Sequence, residues 1–115
     1  MGKMPMEVKV RGIRETLIID VHGKVDLFSS PRMRSAILEA INSKGTAQVA
    51  VNLSGVSYVD SSGIATLVEG LQLARAKHCR FVLFGLQHAA REVLELARLD
   101  KIFDIRSTEV EVLDQ

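Results

Sequence analysis

Apolar and polar positions alternate at the start of the chain, where Val8 and Val10 stand among charged neighbours across residues 7–11, the period-two signature of a strand. Residues 16–22 follow with Leu17, Ile18, Ile19 and Val21, and the short connection containing Gly12 predicts an antiparallel hairpin. The rhythm then changes. After Ser29-Ser30-Pro31, positions Met33, Ala36, Ile37, Ala40 and Ile41 recur at i, i+3, i+4, i+7 and i+8, the stripe of an amphipathic helix. A serine hydroxyl is expected to cap this helix, Pro31 to occupy its first position, and Lys44-Gly45 to close it.

Val49, Ala50, Val51 and Leu53 form a short apolar run, as expected of a strand covered on both faces. A second helix is predicted from near Ser62 to Lys77-His78, burying Ile64, Leu67, Val68 and Leu71, with Gly70 inside it at a cost of up to ~1 kcal/mol relative to Ala. Phe81-Val82-Leu83-Phe84 reads as another buried strand, Ala90, Val93, Leu94 and Ala97 as a third helix, and residues 102–105 as a last strand. The tail, residues 107–115, fits a short final helix and, through Val110 and Val112, an extended piece equally well. Repeated strand–helix–strand units demand a largely parallel sheet with right-handed crossovers. The predicted fold is therefore a single α/β domain over residues 1–115: a β/α superhelix with a mixed, mostly parallel five-stranded sheet, its first strand an antiparallel edge, and helices predominantly on one face.

Composition narrows the function. The chain has 115 residues, 47% of them apolar and 25% charged, which suits one globular domain burying about two thirds of its unfolded surface. Cys79 is the single cysteine, so neither an internal disulfide nor a cysteine zinc cluster is possible, and a reducing compartment such as a bacterial cytoplasm is expected. Fifteen Lys plus Arg against fourteen Asp plus Glu leave a charge of +1, which gives no global basic field for nucleic acid. No apolar stretch approaches the ~20 residues of a membrane span. The opening Met1-Gly2-Lys3-Met4-Pro5-Met6 lacks the apolar core of a secretory signal, and its methionines leave the start residue open.

Ligands and partners of such sheets meet the loops at the carboxyl ends of the strands. Two segments fall there: Gly23-Lys24-Val25-Asp26 and Val59-Asp60-Ser61-Ser62-Gly63. Asp, Ser and Ser before an apolar-periodic run are what a helix N-terminus requires, because their oxygens accept bonds from unpaired first-turn N–H groups. Ser62 is expected to cap. The same N–H groups and the positive dipole end favour an anion, so a phosphate on Ser61 is compatible with that geometry. An esterase elbow needs Gly where Val59 stands, and His78 or His88 would serve as base without an evident orienting acid. A response-regulator receiver would read Asp60 as an aspartyl-phosphate site, but its magnesium pair is missing, with Asp26 alone beside Lys24. No phosphate-cradling glycine pattern occurs, so no nucleotide or other cofactor is assigned.

The other polar residues fit structural roles. His78 suits a helix C-terminus, His22 and His88 lack metal-site spacing, and Cys79 beside a buried strand reads as core. Arg32, Arg34 and Lys44 form a solvated helix face from which Arg32 and Arg34 can reach an acidic partner. Val56, Tyr58 and Val59 are equally consistent with an interaction patch and with inward packing.

Asp60-Ser61-Ser62-Gly63 followed by an apolar helix resembles the STAS domains of bacterial anti-sigma factor antagonists. The preceding Val-Ala-Val-Asn-Leu-Ser-Gly-Val-Ser-Tyr, residues 49–58, resembles that family's third strand and its loop. Gly23 to Asp26 is similar to its Gly-Glu-Leu-Asp, with Lys24 where the family often has Glu, and the likeness covers nearly the whole chain. The resemblance implies a cytoplasmic switch protein rather than an enzyme, without direct nucleic-acid contact or membrane insertion. It implies that Ser61 is phosphorylated by a partner that is both serine kinase and anti-sigma factor. The unmodified form would bind that partner and free the sigma factor, and a separate serine phosphatase would reset the modified form. Asp26, Asp60, Ser61, Ser62 and Gly63 are the partner-binding positions so implied. STAS domains also serve as accessory subunits of lipid-transporting ABC systems, a structural role that the intact Asp-Ser-Ser-Gly disfavours.

Overall fold

The computed structural model describes residues 6–114, so the reading of the start methionines at positions 1 and 4 lies outside the described residues. In chain order the elements are β1 (Met6–Ile13), β2 (Thr16–Val25), α1 (Ser30–Asn42), β3 (Gln48–Val59), α2 (Ser61–Ala76), β4 (Arg80–Phe84), α3 (His88–Leu96), β5 (Asp104–Arg106) and α4 (Glu109–Leu113). The five strands lie in chain order, β1 antiparallel to β2 and the rest parallel, which matches the predicted architecture. One detail of the hairpin differs: Ile13 pairs with Thr16, so the turn is Arg14-Glu15 and Gly12 lies within β1 opposite Leu17. Arg14 takes the left-handed conformation itself, φ +57°, at a cost of roughly 1 kcal/mol that the glycine reading had avoided.

The period-two pattern sorts the strand side chains onto two faces. Ile19, Val51, Leu53 and Leu83 belong to the larger core, together with Ile37 of α1, Leu67 of α2 and Leu94 of α3. Ile18, Ala50, Val82 and Phe84 face the opposite way and are covered by Val112 of α4. The helical reading of the tail is thus the observed one, and the alternation of Val110 and Val112 reflects one exposed and one fully buried position. Gly70 also has a packing reason: a Cβ there would lie 2.8 Å from Ile37 Cγ2 and 2.9 Å from Phe81 Cζ, so only glycine lets α2 settle against α1 and β4.

β3 is longer than its apolar run suggested. Its first five residues pair with β4, whereas 55–59 continue beyond β4 and pair with β2, Val59 opposite Val25. Val56 and Val59 point inward, 0% and 4% exposed, while Tyr58 is 48% exposed. The extended β2–β3 ribbon carries the start of α2 clear of the rest of the sheet.

On the α4 face, Arg11 grips both Asp20 (2.6 and 3.0 Å) and Glu109 (2.7 and 3.3 Å), and Asn52 Nδ2 donates to Asp20 at 2.8 Å. The Arg11 guanidinium is the main reason the Asp20 carboxyl sits below the usual carboxylate range, burial opposing and the Asn52 amide assisting. A carboxyl depressed by folding stabilises the fold above its unfolded value, and this stabilisation is lost as pH falls through the folded value. The melting temperature is therefore expected to fall on acidification below about pH 4, and Asp20→Asn to flatten that fall; an acid limb of unchanged steepness in the variant contradicts this account.

Candidate functional site at the carboxyl ends of β2 and β3

Asp26 and Asp60 each follow the last residue of neighbouring parallel strands, and Asp60 N donates to Val25 O at 3.1 Å. The two segments singled out in the sequence are thereby brought side by side. Asp60 has extended backbone, φ −103° and ψ −172°, and its Oδ1 accepts from Ser62 N (2.8 Å) and Gly63 N (3.2 Å). The cap of α2 is therefore Asp60 and not Ser62, which lies half-buried inside the first turn. A carboxylate one position earlier reaches the same N–H groups and adds a charge favourable to the helix dipole. Ser61, the first helical residue, is exposed, and among the described residues nothing hydrogen-bonds its hydroxyl.

Gly63 is buried and cannot meet a partner through a side chain. A Cβ there would approach Val25 Cγ1 and Val59 Cγ1, both at 2.8 Å. The missing side chain lets the first turn of α2 press onto the two strand ends, and that contact fixes where Ser61 sits.

Asp26 does the same work for the turn leading into α1. Its Oδ1 accepts from Phe28 N and Ser29 N, both at 3.0 Å, and its backbone O accepts from Ser30 N at 2.8 Å. The Ser29 hydroxyl does not cap the helix as expected: it accepts from Asp26 N (2.9 Å) and turns its proton back toward Lys24 O (2.8 Å) and Asp26 Oδ1 (3.1 Å). Pro31 accordingly occupies the second helical position, because α1 starts at Ser30. The Asp26 carboxyl is held below the usual range, chiefly by the Ser29 N–H. Leu27 and Phe28, which the turn leaves 65% and 88% exposed, carried no weight in the sequence reading. Their signal was two large apolar residues lying before the α1 stripe begins at Met33.

Residues 7–112 match the STAS domain family. The chain belongs to the STAS domain family. The Anti-sigma-B factor antagonist of Listeria monocytogenes is 30% identical over 107 residues, covering 93% of this chain and 92% of that protein. An anti-sigma factor antagonist from Mycobacterium paratuberculosis superposes with a TM-score of 0.85 at 21% identity, covering 95% of this chain and 92% of the other. The Bacillus cell fate determinant SpoIIAA in its phosphorylated form gives 0.73 at 24% identity, covering 94% and 97%. Both likenesses extend to the whole fold of this STAS domain.

Elsewhere in this STAS domain the remaining candidates are engaged or dispersed. Arg34 forms a forked pair with Glu69 (2.8 and 2.7 Å), tying α1 to α2, and Arg32 donates to Met6 O at 3.4 Å. Cys79 is 8% exposed at the start of β4, the sheet end opposite Ser61, and burial pushes its thiol up and away from the reactive thiolate. His22 on β2, His78 in the turn after α2 and His88 at the start of α3 are each exposed. Among the described residues no helix is long and apolar enough to cross a membrane. Because Asp60 alone satisfies two first-turn N–H groups of α2, Asp60→Ala is expected to cost about 1 kcal/mol, read as a lowered denaturation midpoint; an unchanged midpoint contradicts the capping role.

Proposed function

We propose that this STAS domain is an anti-sigma factor antagonist: unmodified, it binds an anti-sigma factor and so frees a sigma factor, and phosphorylation of Ser61 by that partner, acting as serine kinase, releases it. The single observation that carries the reading is the exposed, unbonded Ser61 hydroxyl at the first position of α2, flanked by the Asp60 cap and the Asp26 turn. The names of the relatives support it and favour a signalling role over that of an accessory subunit in a lipid-transporting ABC system. Action on a sigma factor's inhibitor places the protein in the cytoplasm.

The chemistry follows from charge. A phosphoserine carries about −1.5 to −2 charges at neutral pH. The amides that would best receive it are already taken, since Asp60 Oδ1 holds Ser62 N and Gly63 N. A phosphoryl group on Ser61 therefore adds its charge next to the Asp60 carboxylate, with Asp26 at the end of the neighbouring strand. It projects into solvent, where a partner surface fitted to a neutral hydroxyl must desolvate a dianion among like charges. The switch needs no movement of the backbone. Resetting it falls to a separate serine phosphatase, as the family resemblance implies. Asp26, Asp60, Ser61 and Ser62 form the docking surface on this reading, and Gly63 seats it from beneath.

Incubation of the purified protein with each anti-sigma factor kinase of the source cell and ATP, followed by mass-spectrometric mapping, is expected to place one phosphate on Ser61. Phosphate on another residue, or on none, contradicts the proposal.

A further inference from the structure

We infer that Leu27 and Phe28 form an apolar anchor that docks into a recess on the anti-sigma factor, beside Ser61 but independent of its charge. The inference rests on the function proposed above. Single exposed apolar side chains are common on protein surfaces. Two consecutive ones at 65% and 88% exposure, on a turn held from both sides, are a different matter. Neither joins either hydrophobic core. Yet the backbone beneath them is fixed: Asp26 Oδ1 takes Phe28 N and Ser29 N, Ser29 Oγ takes Asp26 N, and Ser30 N closes on Asp26 O.

A turn already ordered loses little backbone freedom on binding, so the burial of a phenyl ring and a leucine side chain goes into affinity. Leu96 and Val110 are exposed as well, but each stands singly on its own helix. The occupant follows from continuity. Val25 pairs with Val59, and Asp60 N bonds to Val25 O, so the turn and the first residue of α2 ride on adjacent strand ends. A protein that brings its kinase centre to Ser61 must lie over this corner and meets the turn on the way. The recess it offers is apolar and sized for an aromatic ring, next to the surface that receives the hydroxyl. Affinity and switching are thereby divided: the anchor contributes to binding in either state, and Ser61 decides whether the fit is tolerated.

The experiment measures binding of each purified anti-sigma factor of the source cell to the wild type and to Phe28→Ala, with phosphorylation kinetics and melting curves alongside. Phe28→Ala is expected to weaken binding at least ~30-fold, equivalent to the ~2 kcal/mol of an interface hot spot. The KM of the kinase for it should rise with kcat unchanged, and its melting temperature should stay within about 2 °C of wild type, as usual for an exposed position. A variant that binds within ~3-fold of a binding wild type overturns the anchor and leaves the proposed function standing. A wild type that binds no anti-sigma factor overturns both. Loss of wild-type self-association in Phe28→Ala, with anti-sigma factor binding unchanged, assigns the turn to a second copy of this chain and overturns the inference.

Discussion

Ser61→Ala is expected to take no phosphate from the cognate kinase while binding the anti-sigma factor as the wild type does, and Ser61→Glu to bind at least ~10-fold more weakly, the effect of one added like charge in a partly desolvated contact. The alanine variant removes a hydroxyl that nothing in the described structure bonds, so the fold keeps every interaction that seats it. The glutamate variant adds charge beside Asp60, whose Oδ1 is already committed to Ser62 N and Gly63 N, so those two cap amides are not available to neutralise it. A single carboxylate carries less charge than a phosphoryl group and should mimic it incompletely. Isothermal calorimetry and labelled ATP read the two arms. Label incorporated into Ser61→Ala would move the assignment to Ser62, which the structure places half-buried in the first turn.

The largest effect on stability is expected from Leu67→Ala. Leu67 is 1% exposed in the main core, on the helix whose first residue is Ser61. Truncating a fully buried leucine costs about 2–5 kcal/mol through lost transfer energy and the cavity left behind, against a total of roughly 5–15 kcal/mol for a domain. Denaturant unfolding should show this as a lower midpoint with an unchanged slope. Because Gly63 presses the same helix onto Val25 and Val59, the loosened core should also weaken partner binding at temperatures where the variant is still folded. A loss below about 1 kcal/mol would mean that α2 is not held by this contact.

Much of the fold was legible because its signals are repeated. Periodicity named every long element, and the strand–helix alternation left one sensible sheet order. The errors cluster where two residue types satisfy the same demand. Asp60 and Ser62 are both good caps, and the choice between them is made by the extended backbone at Asp60, which local sequence does not encode. Ser29 looked like a cap for the same reason, but Asp26 takes Phe28 N and Ser29 N in the turn before α1 and the Ser29 hydroxyl is drawn back to Lys24 O. The second half of β3 read as loop because Ser54, Gly55 and Ser57 are weak strand signals. Pairing with β2, and burial of Val56 and Val59, override them. Ser61 was legible as a candidate only through the resemblance of Asp60-Ser61-Ser62-Gly63 to the family's motif, because the cap expected at Ser62 says nothing about which way its neighbour faces. Leu27 and Phe28 were not, because an apolar pair outside any periodic run gives no sign of which way it points.

The most direct measurement compares one anti-sigma factor's affinity for the wild-type protein before and after stoichiometric phosphorylation. Tight binding of the bare protein and a loss of at least ~100-fold on modification is the predicted result, the few kcal/mol of a dianion set among like charges. Equal affinity of the two forms would contradict the claim that charge at Ser61 is the switch.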